Sequence, residues 1–445
     1  YRGSYNHMGI VMKLISFIDD DESGYVEVKM KITSIGIGTR GDVQPLVELG
    51  VEMKRRGHDY RVASFEDFKP MIEEKGLEYI HLDGSAAKLT QYLITEYVKV
   101  SDFMPGYEKL YNEFPGILDQ IAEAVKGSDV ATYGTCSFFT RSACDLHHVS
   151  AVRIFFSPFD STNQYLLYSD RRNSIINRIS YLMQKPGMNL LTLRLFNKWR
   201  EDHGLKKWTL FSDYRKQNGE KVLTFYPVSP YLMPPDPKWG VHIHVTGYWY
   251  HPDDIDSFSP YPKLEQFLKE GEPPLFVGFG SASSPEMKEL QNRTLQAVSR
   301  LNVRTVFQGE QADVSRFNAS GKELFFAGNV PYGWLFERVR AVVHHGGCST
   351  NGIGLRAGKP TLVMPLALDQ LFYGRRVHEL DCGPKPLYVR FEIPSVERIE
   401  ESIRELISGR YDGGAKKAQA ILKKEQRWLR KKTNIRDTIS QHRQF

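Results

Sequence analysis

The sequence predicts an α/β protein made of two tandem Rossmann-like, doubly wound domains that face a common cleft. Short apolar strands alternate with amphipathic helices, the pattern of a parallel sheet with right-handed crossovers. This alternation of strands and helices stops at a proline-rich stretch, residues 248–274, and resumes after it. Each half also has a glycine-rich turn between a strand and a helix. A length of 445 residues suits two or three domains of ordinary size.

The predicted strands and helices follow the hydrophobic periodicity. The first half has predicted strands at 31–37, 59–65, 77–82, 130–133, 152–156 and 221–226, and predicted helices at 46–56 and 68–75 with a loop at 38–45. The stretch 102–207, rich in aromatic residues and leucine, is predicted to be mostly helical and offers room for an apolar ligand. The second half has predicted strands at 275–279, 304–307, 324–327, 339–344 and 361–364, and a predicted helix at 285–301.

These elements divide the chain into five predicted parts. They are an N-terminal extension (1–30), a first Rossmann-like domain (31–247), a linker (248–274), a second Rossmann-like domain (275–410) and a C-terminal basic amphipathic helix (411–445).

The charge of the chain is concentrated near its end. There are 59 Lys and Arg against 53 Asp and Glu, a net +6, yet residues 416–432 alone carry eight bases and one acid. The remainder is therefore nearly neutral, which argues against a nucleic-acid-binding surface. We interpret the basic segment as the solvated face of a helix, with contact to an anionic membrane surface as the alternative.

Composition also excludes several classes of protein. With 41% hydrophobic and 25% charged residues the chain is neither disordered nor fibrous. Its four cysteines form no CxxC pair and do not suit a disulfide scaffold. The longest apolar stretch, residues 8–18, is too short to cross a bilayer, which needs about 20 residues. We expect a cytoplasmic protein, with peripheral attachment to a membrane as the alternative.

The first glycine turn admits three interpretations. Gly36 to Gly41 fits G-x-G-x-x-G, and Glu66 follows 25 residues later, as in a dinucleotide-binding site. Asp42 comes directly after the turn, however, and its carboxylate would repel a pyrophosphate at the helix N-terminus. We therefore predict that the helix lowers the pKa of Asp42 and keeps it ionised as a catalytic base in the cleft. A structural N-cap and a nicotinamide or flavin site are the alternatives.

The second domain carries the residue types that bind phosphate. His344-His345-Gly346-Gly347-Cys348-Ser349-Thr350 follows a predicted strand and opens a helix. Glycines let backbone N–H groups approach phosphate oxygens, the hydroxyls of Ser349 and Thr350 are further donors, and the helix dipole favours an anion. His345 can donate a hydrogen bond to a diphosphate. No third ligand with suitable spacing supports a metal site.

Three further segments suit parts of a nucleotide sugar. Asp369-Gln370 follows a strand and can bind several sugar hydroxyls. Gly278 to Ser281 is another tight turn after a strand, and the segment 329–334 can hold a flat base by backbone hydrogen bonds and an aromatic face.

Together these motifs resemble the sterol 3-beta-glucosyltransferases of glycosyltransferase family 1. The resemblance also extends, more distantly, to bacterial antibiotic glycosyltransferases and plant secondary-product enzymes. It rests on GTRGDVQP (38–45), NKWR (197–200), VTGYW (245–249), GFGS (278–281), NVPYGWLF (329–336), HHGGCSTNGIGLRAGKPT (344–361) and DQ (369–370), in collinear order. It implies the GT-B fold, a UDP-sugar such as UDP-glucose bound mainly by the C-terminal domain, and a hydrophobic hydroxyl acceptor bound by the N-terminal domain. It further implies inversion at the anomeric carbon without a metal or cofactor, and a C-terminal helix that packs back on the N-terminal domain.

The resemblance also implies roles for individual residues. Asp42 is the expected general base, within an acceptor loop formed by Gly38, Thr39, Arg40 and Gly41. The expected nucleotide-sugar ligands are Ser281, His345, Gly347, Ser349 and Thr350 for the diphosphate, Val330 and Trp334 for uridine, and Asp369 and Gln370 for glucose.

Two departures from the family pattern leave the donor open. Ser349 stands where the family usually has glycine, and Leu366-Ala367-Leu368 lacks two aromatic residues usual beside the sugar. A donor other than glucose is thus an alternative, as is another lipophilic or natural-product acceptor. The wider alternatives are a sugar-nucleotide epimerase, a Rossmann oxidoreductase, and a non-catalytic nucleotide-sugar or lipid-binding module.

Overall fold

A computed structural model describes most of the chain. The described residues are 29–90, 109, 111–162, 164, 174–213, 215–249, 258–280, 285–308, 324–328, 330–366, 369–389 and 392–425. The predicted N-terminal extension lies outside the described residues up to residue 28, as does the predicted C-terminal helix beyond residue 425.

The first domain is a parallel sheet of seven strands in the order β3-β2-β1-β4-β5-β8-β9. These strands are β1 (Lys31–Gly36), β2 (Asp59–Ser64), β3 (Glu78–His81), β4 (Val130–Tyr133), β5 (Ser150–Ile154), β8 (Leu223–Tyr226) and β9 (Ile243–Val245). The short strands β6 (Lys216–Gln217) and β7 (Glu220–Lys221) form a separate antiparallel pair. The strand order reverses between β1 and β4, so a crevice opens there at the carboxyl ends of the strands.

Helices cover the faces of this sheet. They are α1 (Arg40–Arg55), α2 (Lys69–Glu74), α3 (Ala86–Thr90), α4 (Ile117–Val125), α5 (Thr140–His147) and α6 (Ser174–Asp202). Both α5 and α6 lie in the stretch that the sequence predicts to be mostly helical.

The second domain repeats the plan with five parallel strands in the order β12-β11-β10-β13-β14. The strands are β10 (Leu275–Gly278), β11 (Thr305–Gln308), β12 (Leu324–Ala327), β13 (Ala341–His344) and β14 (Thr361–Val363). The helices are α7 (Pro262–Lys269), α8 (Pro285–Arg300), α9 (Tyr332–Phe336), α10 (Cys348–Arg356), α11 (Asp369–Glu379), α12 (Val396–Leu406) and α13 (Asp412–Glu425). The order reverses between β10 and β13, where the second crevice opens.

One apolar core joins the two domains. The largest cluster of buried side chains fills the first domain and continues into the second through Cys348, Phe372, Tyr373, Ala418 and Leu422. The last two residues belong to α13, and Ser229 Oγ of the first domain donates to Glu425 Oε1 at 3.0 Å. Glu425, at the end of the described part of the C-terminal helix, thus contacts the N-terminal domain. The packing of the whole helix on that domain stays a prediction.

Three segments differ from the sequence-based expectations. The first-domain helix begins at Arg40 rather than Leu46, so most of the predicted loop 38–45 is helical. The predicted linker contains α7, whose Leu264 is fully buried in the core of the second domain. Strand β9 was not predicted.

Candidate active site

Asp42 is held at the start of α1 by a capping box. The helix is capped by Thr39, and Asp42 is its third residue. Asp42 Oδ2 accepts hydrogen bonds from Thr39 N at 2.7 Å and Thr39 Oγ1 at 3.0 Å. Closing this turn satisfies a helix N–H group that would otherwise lack a partner, and so the helix starts ahead of Pro45. A Cβ atom at Gly38 would overlap the Asp42 carboxylate, so the turn requires glycine there.

The predicted direction of the Asp42 pKa shift is wrong. Asp42 is half-buried. Burial raises the pKa of its carboxyl, and the hydrogen bonds from Thr39 only partly oppose that shift. The sequence pattern suggested the reverse because it shows the helix N-terminus and not the loss of water around the carboxylate.

The other residues of the predicted acceptor loop surround Asp42. Gly41 and Arg40 are exposed, and Arg40 Nε donates to Gln44 Oε1 at 3.2 Å. Arg40 also lies near the second domain. Burial raises the pKa of Tyr332 in α9 to about 12, and the positive charge of Arg40 opposes that shift.

His345 lies between two glycine turns of the second domain. A Cβ atom at Gly280, after β10, would lie 3.2 Å from His345 Cε1, and one at Gly347 would lie 2.8 Å from His345 Nε2. The ring therefore needs both glycines. Burial lowers the pKa of His345 to about 4, so the imidazole is neutral near pH 7. Its Nδ1 is buried and has no hydrogen-bond partner among the described residues, which makes it available to a ligand.

The turn after β13 is fixed by its own polar groups. Gly346 N donates to His344 Nδ1 at 2.9 Å, and Asn351 Nδ2 donates to the carbonyls of Gly346 and Gly347 at 2.9 and 3.0 Å. Gly347 caps α10, and Ser349 and Thr350, both half-buried, lie in its first turn. That turn contains no acidic residue. A rigid turn of this kind is suited to bind an anion.

The predicted sugar ligands lie beside that turn, at the start of α11. Asp369 is the first residue of the helix and is half-buried. Gln370 is buried, and its Oε1 accepts from Leu366 N at 2.8 Å. A Cβ atom at Gly346 would lie 3.2 Å from the Gln370 Cβ. The turn after β13, which is the candidate phosphate-binding turn, is therefore in close contact with the start of α11.

The predicted uridine ligands are less accessible. Val330 and Trp334 are 6% and 8% exposed and belong to the core around α9. The Arg338 guanidinium lies 4.1 Å from the centre of a Trp334 ring, and Phe258 packs edge-on against the indole. Trp334 is thus packed in this core, and the role of Val330 and Trp334 in uridine binding stays a prediction. Ser281 lies outside the described residues.

The two domains bring Asp42 and Asp369 to one cleft. Burial raises the pKa of Asp369 to about 7, and the negative charge of Asp42 adds to this shift. The charge of Asp42 also contributes to the raised pKa of the Cys348 thiol, at the start of α10. Asp42 is therefore within electrostatic reach of the start of α11, where the predicted sugar ligands lie, and of the start of α10, where the predicted diphosphate ligands lie.

Sequence reasoning missed the residues that join the domains at this cleft. Tyr373 and Arg376 of α11 hydrogen-bond to carbonyls of the first domain. Neither belongs to a motif, and their only signal is their spacing of four and seven residues from Asp369, which places them on one helix face.

Among the described residues, no group of three or more His, Cys, Asp or Glu side chains is arranged to hold a metal ion. Metal independence remains a prediction. Nor does any helix in the described part of the chain have both the length and the apolar character needed to span a membrane.

Comparison with solved structures identifies the architecture. A glycotransferase of kitacinnamycin aligns with a TM-score of 0.66 and 17% identity, covering 93% of this chain and 99% of that one. A calicheamicin glycosyltransferase aligns with a TM-score of 0.64 and 16% identity, covering 93% and 98%. The fold is GT-B. The two sheets described above are therefore the two Rossmann-like domains of a GT-B protein, as the sequence predicts.

Sequence comparison confirms the resemblance to sterol glucosyltransferases. Residues 32–117 match the Glycosyltransferase family 28 N-terminal domain, whereas the motifs indicated family 1. A sterol 3-beta-glucosyltransferase of Pichia angusta is 29% identical over 373 residues, which is 79% of this chain and 29% of the relative. One from Arabidopsis thaliana is 27% identical over 411 residues, 89% of this chain and 63% of the relative. The chain thus spans less than a third of the yeast relative and less than two thirds of the plant relative.

Proposed function

We propose that this GT-B chain is an inverting glycosyltransferase that moves a hexose, in the first instance glucose, from a UDP-sugar to the hydroxyl of a hydrophobic acceptor such as a sterol. The observation that carries the proposal is the electrostatic coupling of Asp42 to Asp369. The negative charge of Asp42, on the first domain, acts on Asp369, on the second domain, where the candidate sugar ligands lie beside the candidate phosphate-binding turn.

The second domain is suited to the donor. The unpartnered Nδ1 of His345 and the first turn of α10 provide hydrogen-bond donors without a competing carboxylate. Negative charge that develops on a departing diphosphate is stabilised by such pre-positioned donors. The neutral His345 contributes through a directed N–H group rather than through a full charge. Asp369 and Gln370, beside the same turn, are the candidate ligands for the sugar hydroxyls.

Asp42 is suited to accept the proton of the acceptor hydroxyl. Its raised pKa makes it a stronger base than an ordinary aspartate, and one carboxylate oxygen is fixed by Thr39. An alcohol is nevertheless far less acidic than a carboxyl group, so proton transfer must accompany attack on the anomeric carbon. The base and the leaving-group site lie on different domains, an arrangement that favours attack from the face opposite the diphosphate and hence inversion.

A membrane contact would bring the chain to a lipid acceptor. Three residues of α6, Ile175, Ile179 and Leu182, are 68%, 53% and 64% exposed. Their spacing of four and three residues places them on one face. The helix, Ser174–Asp202, contains five Lys or Arg, and its two acids are its last residues, Glu201 and Asp202. Apolar residues on a basic helix suit the surface of an anionic bilayer. A larger fraction of the protein should sediment with phosphatidylserine vesicles than with neutral vesicles, and equal fractions would count against this contact.

The decisive experiment supplies UDP-glucose and a 3-hydroxysterol to the full chain. Mass spectrometry should detect the sterol glucoside, and UDP release should depend on the sterol. A screen of other UDP-sugars and lipophilic alcohols then tests the donor and acceptor. UDP-glucose binding without any product would support a binding module instead, epimerised donor would support an epimerase, and a change in NADH absorbance would support an oxidoreductase.

A further inference from the structure

We infer that Tyr373 and Arg376 are positioning residues that tie the donor-sugar helix to the acceptor domain and so hold Asp42 in register with the bound sugar. This inference rests on the proposed glycosyl transfer. It concerns α11, whose first residues are the candidate sugar ligands. Asp369, Tyr373 and Arg376 follow each other at intervals of four and three residues and share one face of the helix.

The Tyr373 hydroxyl connects three parts of the cleft. It donates to the carbonyl oxygen of Phe156, just after β5 of the first domain. It also lies 2.9 Å from Cys348 Sγ, at the first residue of the phosphate-type helix α10. The side chain is fully buried. The hydroxyl thus contacts both the acceptor domain and the helix of the candidate phosphate site. Tyr373 itself belongs to α11, the helix of the candidate sugar site.

Arg376 extends the same connection by one turn. Its Nε donates to the carbonyl of Leu232 at 2.7 Å and its Nη2 to that of Tyr231 at 3.4 Å, both after β8 of the first domain. Its Nη1 donates to Glu379 of its own helix at 2.6 Å, which fixes the guanidinium. The planar guanidinium supplies several donors in a rigid geometry, so it can define the orientation of α11 as well as its distance from the first domain.

These contacts bear on the reaction because the two reacting groups are on different domains. Asp42 is on the first domain, and Asp369 and Gln370 are on the second. Displacing a catalytic group by about 1 Å can reduce a rate by about 10²-fold. Contacts that join the domains within two turns of the sugar ligands are therefore well placed to set the distance from the base to the anomeric carbon.

The test uses two variants and two matched controls. Tyr373→Phe removes only the hydroxyl, and Arg376→Met removes the guanidinium. Tyr411→Phe is the control for the first, because Tyr411 is 1% exposed and its hydroxyl bonds to Glu405 within the second domain. Arg293→Met is the control for the second, because Arg293 donates to the carbonyls of Ile393 and Pro394 and to Glu289, all within the second domain.

Both test variants should transfer glucose to the sterol about 10- to 100-fold more slowly, with the dissociation constant for UDP changed less than twofold. The ratio of donor hydrolysis to transfer should rise, since a displaced base admits water in place of the acceptor. The two controls should keep the wild-type ratio. A merely structural role would lower hydrolysis and transfer together, or weaken UDP binding, and either result would overturn the inference.

A second measurement does not depend on turnover. Amide hydrogen exchange should accelerate in the loops after β5 and β8 in both test variants and not in the controls. Unchanged exchange would refute the interdomain tie whether or not the chain is an enzyme. Conversely, if the two test variants exchange faster but the wild-type protein makes no glycoside, the proposed function would be refuted while the interdomain tie would stand. Melting temperatures of all four variants identify any that fail to fold.

Discussion

The two helices at the cleft, α1 and α10, begin in the same way and carry opposite chemistry. Each follows an interior parallel strand through a glycine turn, and each places a polar residue third from its cap: Asp42 in α1 and Thr350 in α10. In α1 the Asp42 carboxylate accepts a hydrogen bond from the N–H group of the cap residue, Thr39, so a side chain of the helix itself occupies the helix N-terminus. In α10 the first turn has no acid, and the imidazole ring of His345 lies against Gly347, the cap of that helix.

This difference explains how one supersecondary unit can serve two substrates. A helix N-terminus favours negative charge, whether that charge is a side chain or a ligand. Where the chain supplies the carboxylate, as in α1, the helix N-terminus already has its negative charge, and we propose that this carboxylate acts as the base. Where the chain supplies glycine, hydroxyl and imidazole groups, the site remains open to a phosphate from outside.

Removing the charge of Asp42 should have the largest effect. Asp42→Asn should lower kcat by about 10²–10⁴-fold, since the amide can still accept from Thr39 N but cannot take a proton. Affinity for UDP-glucose, measured by calorimetry, should be retained because the donor sites are on the other domain. Near-normal turnover would reject Asp42 as the base.

Removing His345 should have the next largest effect. His345→Ala should reduce the transfer rate by about 10²–10³-fold, the usual loss when one pre-positioned donor to developing charge is removed. UDP affinity should fall as well, unlike in Asp42→Asn. His345→Gln, which keeps an N–H donor, should recover part of the rate. Unchanged UDP affinity and rate in the alanine variant would exclude His345 from the site.

Making α10 resemble α1 should abolish much of the donor affinity. Thr350→Asp places a carboxylate third from the cap, as in α1, where it would repel a diphosphate. We expect the dissociation constant for UDP to rise about 10- to 100-fold, as for a like-charge contact of a few kcal/mol. The neutral variant Thr350→Asn is the control and should change it much less. Equal losses in the two variants would indicate crowding rather than charge.

The contrast between α1 and α10 also shows what the sequence can and cannot predict. Eleven parallel strands and both glycine turns were predicted from apolar runs bounded by Gly and Pro, because those signals are local. The start of α1 was misplaced since Pro45 and Gly41 read as a loop, whereas the Thr39–Asp42 capping box extends the helix ahead of the proline. Only the folded geometry shows that Asp42 closes its own turn.

Properties that depend on distant parts of the chain were beyond the sequence. The pKa of Asp42 was predicted to fall, yet it rises, because burial outweighs the hydrogen bonds from Thr39. The packing of Arg338 and Phe258 against the Trp334 indole was not predicted either, and the role of Trp334 in uridine binding stays a prediction. Tyr373 and Arg376 had no motif at all, because their partners are backbone carbonyls more than 140 residues away in sequence.

The smallest predicted effect concerns pH and the pair of carboxylates. Asp369 has a pKa raised to about 7, so its ionised form, which accepts hydrogen bonds from sugar hydroxyls, prevails only above that pH. The advantage of UDP-glucose over UDP in binding should therefore decline about two- to tenfold as the pH falls from 8 to 6, the value of about one hydrogen bond. Calorimetric titration of both ligands across this range measures it.

Asp42→Asn makes the pH prediction specific to the pair. Without the negative charge of Asp42, the pKa of Asp369 should fall, and the decline in sugar affinity should move to lower pH. UDP alone serves as the control, since it lacks the sugar that Asp369 is proposed to bind. If UDP showed the same pH dependence, or if the variant left the decline near pH 7, then the coupling between the two carboxylates would not govern the sugar site. The charge on one domain would then be independent of the ligand on the other.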